Sequence, residues 1–235
     1  MKKFTSLLIA ILVSIAAFGQ SKKEFKLKDF DSIEAGFAFE VHIHKKSEFS
    51  VTALANAEDL TYVKAYLKGN ILVLEDGRKS NWNWFNRGNR GKVVINVGMP
   101  ELKNAEISGA VNAEIYGFTN QDFMNLEASG ASKIIVDNLE VNKFNLDASG
   151  ASNVKISGSA YKFNIDCSGA SNIKAKEFKV RDCDADASGA SNITIYPTNS
   201  LIAEATGASN IYYVGTPVHL ETESHAASNI KKISE

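Results

Sequence analysis

A three-residue phrase, Ser-Gly-Ala, recurs through the second half of this chain and limits what it can fold into more than any other feature. It stands at Ser108-Gly109-Ala110, Ser129-Gly130-Ala131, Ser149-Gly150-Ala151, Ser168-Gly169-Ala170 and Ser188-Gly189-Ala190, with variants at Thr206-Gly207-Ala208 and His225-Ala226-Ala227. Successive starts lie 21, 20, 19, 20, 18 and 19 residues apart. A period in this range marks a solenoid, in which each coil buries its apolar face only against its neighbours. Ahead of the phrase, apolar Phe144, Leu146 and Ala148 alternate with Asn145 and Asp147, and Phe163, Ile165 and Cys167 with Asn164 and Asp166. Period two means half-buried strand. Behind it the alternation resumes, as in Val154 and Ile156 or Ile193 and Ile195. The expected fold is all-β: a right-handed parallel β-helix of about 20-residue coils, with two strands per coil.

Small residues at the corner have a steric reason. Coils stack about 4.8 Å apart, so a corner side chain meets its own copy above and below, and glycine also supplies a positive φ. The asparagines that follow the corner, Asn112, Asn153, Asn172, Asn192, Asn210 and Asn229, are placed for a hydrogen-bonded amide ladder. Cys167 and Cys183 fall in different columns of the repeat, about 13 Å apart along a strand. That is beyond disulfide reach, so both are expected as buried free thiols.

Ahead of the repeats, Lys2 and Lys3 precede an apolar run from Phe4 to Phe18, which reads as a signal peptide over residues 1–19 and predicts an exported protein. No later run reaches the roughly 20 apolar residues of a membrane-spanning helix. Residues 20–103 read as a β-rich section that caps the helix or continues it, with strands at Phe37–Ile43, Phe49–Ala53, Val63–Leu67, Ile71–Leu74 and Val93–Val97, one helical turn near Asn56–Tyr62, and a loop from Lys79 to Gly91 that holds both tryptophans. Residues 104–235 are the β-helix repeats. The 26 basic and 27 acidic side chains nearly cancel, which argues against a nucleic-acid binder.

The leader, the segment Val93-Val94-Ile95-Asn96-Val97-Gly98-Met99-Pro100-Glu101-Leu102 and the repeated Ser-Gly-Ala-Ser phrases resemble the putative auto-transporter adhesin family, head GIN domain, of Bacteroidetes-type bacteria. The resemblance implies a β-helix shaped like the pectin lyases without their catalytic residues, and a role in adhesion.

Aligning the repeats exposes a candidate surface. Two positions before each phrase stand Glu106, Glu127, Asp147, Asp166, Asp186, Glu204 and Glu223, an unbroken acidic column between inward positions. Neighbouring carboxylates at the coil spacing repel by roughly 0.9 kcal/mol per pair even in water. Such a column is a solvated face that opposes sheet aggregation, a strip that binds calcium, or a docking strip for a basic partner or a charged glycan-bearing surface. Trp82, Trp84 and Phe85 form a second candidate, for stacking on a glycan or anchoring a protein partner, or else a lid over the open helix edge. His42 and His44, with Glu40 on the same strand, are a third, as zinc ligands or a solvated pair. The chain has no GxSxG, HExxH or P-loop motif. The expectation is a non-enzymatic, adhesin-like or envelope interaction module, in the periplasm, at the cell surface or outside the cell. Its partner would be a protein or glycan of the envelope, with no nucleic acid and no cofactor save calcium. A glycan-active β-helix enzyme with degenerate motifs and a purely structural envelope protein are the alternatives, and the unpaired last coil near Ile230 invites homo-oligomers.

Overall fold

A computed structural model describes residues 12–13, 20–78 and 91–234. Among them the chain forms strands β1 (Leu12–Val13), β2 (Ser21–Phe25), β3 (Ser32–Ala35), β4 (Glu40–Lys45) and β5 (Ser50–Ala55), one helix α1 (Ala57–Tyr62), then β6 (Val63–Lys68), β7 (Ile71–Asp76) and β8 (Val94–Met99). The repeats supply β9 (Asn104–Ile107), β10 (Asn112–Tyr116), β11 (Gln121–Ala128), β12 (Lys133–Ala148), β13 (Asn153–Cys167), β14 (Asn172–Ala187), β15 (Asn192–Ala205), β16 (Asn210–Tyr213), β17 (His219–Ser224) and β18 (Asn229–Lys232).

Two parallel ladders run the length of the stack. Ahead of the corner the neighbours are β7, β3, β9, β11, the second halves of β12 to β15, and β17. Behind it they are β8, β4, β10, the first halves of β12 to β15, β16 and β18. This is a parallel β-solenoid. The Ser-Gly-Ala turn joins the two ladders in each coil. Backbone N–H groups of each turn donate to the coil before, as Ala170 does to Gly150 and Ala190 to Gly169, both at 2.7 Å. At the N-terminal rim the direction changes. There β6 pairs antiparallel with β7, β5 with β8 and β2 with β5. Antiparallel strands thus cover the edge that the first coil would leave open.

Glycine is required at the corner on two counts. Gly169 sits at φ 69°, and a Cβ there would lie 2.5 Å from the Gly150 carbonyl oxygen. The serine that follows Ser-Gly-Ala points inward: Ser152, Ser171, Ser191 and Ser209 are fully buried. Ser191 and Ser209 donate to carbonyls of the previous coil, Cys167 at 3.2 Å and Ala187 at 2.9 Å, and Ser152 donates to Ser171 at 3.1 Å. These recurring hydroxyls are committed to the scaffold.

Two expectations about the coil need correction. Each coil has three inward stretches and not two strands. In β13, Val154 and Ile156 point in, then Ala160, then Phe163, Ile165 and Cys167, while Tyr161 and Lys162 are both exposed. Two consecutive outward residues interrupt period two and place a third bend in the coil. Away from the serine column the enclosed core is chiefly apolar, with Phe144 stacked on Phe163 at 5.0 Å and Phe178 edge-on to Phe163 at 5.3 Å. The second correction concerns the first predicted strand. Phe37–Phe39 is not strand but corner: Phe37 has φ 80° and holds the place that Gly109 takes in the next coil. Both cysteines are buried and free, Cys183 in register with Phe163 and Cys167 with Ala187. Burial pushes the Cys167 thiol up to about 11, and that of Cys183 upward as well.

Candidate functional site

Strand alternation turns the acidic column outward, and strict register stacks it. Glu106 pairs with Glu127, Glu127 with Asp147, Asp147 with Asp166, Asp166 with Asp186, Asp186 with Glu204 and Glu204 with Glu223. The column has one more member. Glu34 of β3 pairs with Glu106, so eight carboxylates face one side of the solenoid. The signal was in the chain as Glu34-Ala35-Gly36-Phe37, a worn copy of the phrase with its glycine displaced by one residue.

The strip carries a visible electrostatic cost. Partial burial, then the charge of Asp166, raises the Asp147 carboxyl above the usual range. Burial, followed by Asp184, Glu204 and Asp166, does the same to Asp186, and burial with Glu34 and Glu127 to Glu106. No three Asp, Glu, His or Cys side chains among the described residues are placed to hold a metal ion. A cation would therefore have to draw the carboxylates of the strip together.

Beside the acids runs an amide ladder, two residues upstream of the column where it was expected behind the corner. Asn104 donates to Ser32 Oγ at 3.0 Å, Asn125 to Asn104 at 2.9 Å, Asn145 to Asn125 at 2.8 Å and Asn164 to Asn145 at 2.8 Å. Behind the corner only one such bond forms among the described residues, from Asn210 to Asn192 at 3.0 Å, while Asn153 turns to its own Ala151 carbonyl. In the upstream column the amides point along the stack and chain from coil to coil. Every amide there donates toward the N-terminal end, so the ladder finishes on Asn164 Oδ1, which is buried without a partner. The next side chain in register is Asp184. Amides and acids together line a shallow groove of about 380 Å³ that includes Asn145, Asp147, Asn164, Asp166, Asp184 and Asp186.

Trp82, Trp84 and Phe85 lie outside the described residues. The ends of their segment do not. Asp76 closes β7 and Val94 opens β8, and these strands stack directly beneath β3 and β4. A buried carboxylate holds both ends of the segment. Asp59 accepts from Arg78 at 2.8 Å, from the Gly91 N–H at 3.0 Å and from Asn56 Nδ2 at 2.7 Å, and Arg78 also pairs with Asp76 at 2.7 Å.

The histidine pair forms a hydrogen-bonded cluster. His42 meets Glu114 through Nδ1 and Glu40 through Nε2, each at 3.0 Å, so both of its nitrogens are engaged by carboxylates. Lys92, which hydrogen-bonds Glu40, holds that carboxyl below its usual range. The His44 ring stacks on His42 at 6.4 Å, and burial, then the neighbouring His42, lowers its pKa.

A stack of parallel coils with a repeated outward strip defines the β-solenoid class of fold, and several solved structures share it. A putative adhesin from Bacteroides fragilis superposes with a TM-score of 0.83 at 21% identity, covering 91% of this chain and 97% of its own. A putative lipid binding protein from Parabacteroides distasonis gives 0.69 at 19% identity, with 92% and 97% covered. A putative adhesin from Parabacteroides merdae gives 0.63 at 18%, with 91% and 96% covered. At these identities the likeness shows the fold. No curated protein matches the chain. The family described as putative auto-transporter adhesin, head GIN domain, matches residues 29–217, and the chain belongs to it.

Proposed function

We propose that this protein is an exported, non-enzymatic interaction module that works as an adhesin at the cell envelope, with the acidic strip as its contact face. The observation that carries this reading is the strip itself: eight carboxylates in register from Glu34 to Glu223 beside a directional amide ladder. A solenoid stacks on its inner apolar columns and its corners, so an outer column of like charge costs stability without serving the fold. Complementary charge on a partner would offset that cost and steer the encounter. Family membership supports the adhesin-like role. The lysines and apolar run at the start of the chain support export. The partner is a basic protein or a glycan-bearing surface of the envelope, and a charge balance near zero disfavours nucleic acid.

The test is attachment. Beads coated with purified protein are scored on bacterial envelope and mucin surfaces, beside the Asp147→Asn, Asp166→Asn, Asp186→Asn triple variant and the Trp82→Ala, Trp84→Ala double variant. A several-fold loss in the triple variant supports the strip, and attachment equal in all three proteins overturns it. Calcium is the second reading, favoured by the unpartnered Asn164 Oδ1 beside Asp184. Calorimetric titration of chelator-treated protein with calcium should then show heat that the triple variant loses.

A further inference from the structure

The acidic strip repeats one residue type in every coil, but another outward column does not. At the third bend of the coil, Asp122, Asn142, Tyr161 and Arg181 stand side by side in successive coils, flanked by registered neighbours. Stacking alone favours repetition, because identical side chains form ladders. Four different polar chemistries in one column are not what the solenoid needs. They also interact. Asn142 Nδ2 donates to Asp122 at 2.9 Å, which turns the amide away from Tyr161. On the other side the Arg181 guanidinium lies over the Tyr161 ring, 4.6 Å from its centroid, and reaches the tyrosine hydroxyl. Tyr161 is nevertheless 54% exposed. Between the two pairs opens a groove of about 540 Å³, lined by Asp122, Glu140, Asn142, Ser159, Tyr161 and Arg181, with small Ala160 in its floor.

We propose that this groove binds a neutral saccharide, one pyranose ring lying against Tyr161. The inference rests on the adhesin reading above and gives it a ligand class and a second site. An aromatic ring offers a flat apolar surface to the C–H face of a sugar, and a few convergent polar groups fix its hydroxyls. Asp122, Glu140 and the Asn142 carbonyl accept from hydroxyls, while Arg181 and Ser159 donate to them. The charges choose among ligands. A uronate would face Asp122 and Glu140. A lysine or arginine of a protein partner would meet Arg181, which already occupies the cation-attracting face of Tyr161. A neutral polyol avoids both conflicts. The ring and the guanidinium hold one another through their stacking and hydrogen bond, so less ordering is left for the ligand to impose.

Saturation-transfer NMR with a panel of methyl pyranosides and neutral oligosaccharides tests this. Transfer is expected at sugar ring C–H protons, with affinity falling at least about tenfold in Tyr161→Ala and staying within about threefold in Tyr161→Phe, which keeps the ring. Glu140→Gln, an exposed change that leaves the aromatic wall, should weaken binding without altering the melting temperature. The Asp147, Asp166, Asp186 triple variant should bind the sugar as wild type does, which separates this site from the strip. No transfer to any neutral saccharide, transfer that survives both Tyr161→Ala and Glu140→Gln, or a lysine-rich peptide that binds where the sugars do not would overturn the proposal.

Discussion

From Ser129 to Ala208 the chain turns one corner with nearly the same residues in each coil, whereas residues 32–45 and 71–99 continue the same two ladders with no Ser-Gly-Ala phrase. The regular corners close by backbone: Gly130, Gly150, Gly169 and Gly189 each pack against the glycine of the coil before, at φ between 69° and 72°. The N-terminal coils close by side chain. Phe37 takes the positive-φ corner of the first ladder pair. In the coil beneath, the end of β7 and the approach to β8 are fastened by the Asp59–Arg78–Asp76 cluster and the Gly91 N–H. A repeated corner makes stability a sum of like interfaces. A unique corner concentrates it in a few ionic contacts.

The largest effect should come from breaking the ionic corner. Asp59 is buried and carries three hydrogen bonds, to Arg78, Gly91 and Asn56. Asp59→Ala leaves Arg78 with Asp76 alone and removes three hydrogen bonds to a charged acceptor, from Arg78, the Gly91 N–H and Asn56, together worth about 3–5 kcal/mol. Thermal unfolding of the variant measures it. A loss under about 1 kcal/mol, the worth of an exposed ion pair, would mean that the segment is held elsewhere.

Next comes the glycine corner. Gly169→Ala forces an L-residue into the left-handed region and pushes its methyl into the Gly150 carbonyl oxygen, for roughly 2–4 kcal/mol in chemical denaturation. The control lies in the other region. Gly69 joins β6 to β7 at φ 65°, and a methyl group added there would meet nothing within 4 Å, so Gly69→Ala should cost only the conformational preference, about 1 kcal/mol. Equal costs at the two sites would refute close coil contact as the reason for the corner glycines.

The same contrast explains what could be read from the residues alone. The corner repeats because every coil presents the same steric problem, so period, strand alternation, the separate cysteine columns and the acidic column were all legible. Phe37 was not, and Glu34 left only a worn copy of the phrase with its glycine displaced by one residue. Their strand β3 lies between β7 and β9 in the stack, a placement that chain order does not encode. The third bend was hidden because Tyr161-Lys162 and, in register with it, Arg181-Asp182 read locally as slips in alternation. The amide ladder was placed in the wrong column because both columns carry asparagines, and only side-chain direction decides which can chain them. The Tyr161 groove gave no signal at all, since it consists of unlike residues about 20 apart.

Acid should divide the two regions with opposite signs, and this is the smallest effect. Asp147, Asp186 and Glu106 have folded-state pKa values raised by burial and by one another. A raised carboxylate binds its proton more tightly in the fold than in the unfolded chain, so its contribution is most favourable below the unfolded value and is lost as pH climbs through the raised one. Glu40 runs the other way. Its pKa is lowered by Lys92 and then by its hydrogen bond to His42, so its contribution is present above the unfolded value and lost as pH falls through the lowered one. The Asp147→Asn, Asp166→Asn, Asp186→Asn variant should therefore be more stable than wild type at neutral pH, by up to roughly 1 kcal/mol at low salt for exposed charges. That advantage should shrink with added salt and disappear in acid as the raised carboxyls of Asp147 and Asp186 take up protons. Glu40→Gln should lose stability at neutral pH and match wild type only in stronger acid. Denaturation midpoints of both variants across this range measure the two slopes, and slopes of one sign would show that the strip carries no net repulsion in the folded protein.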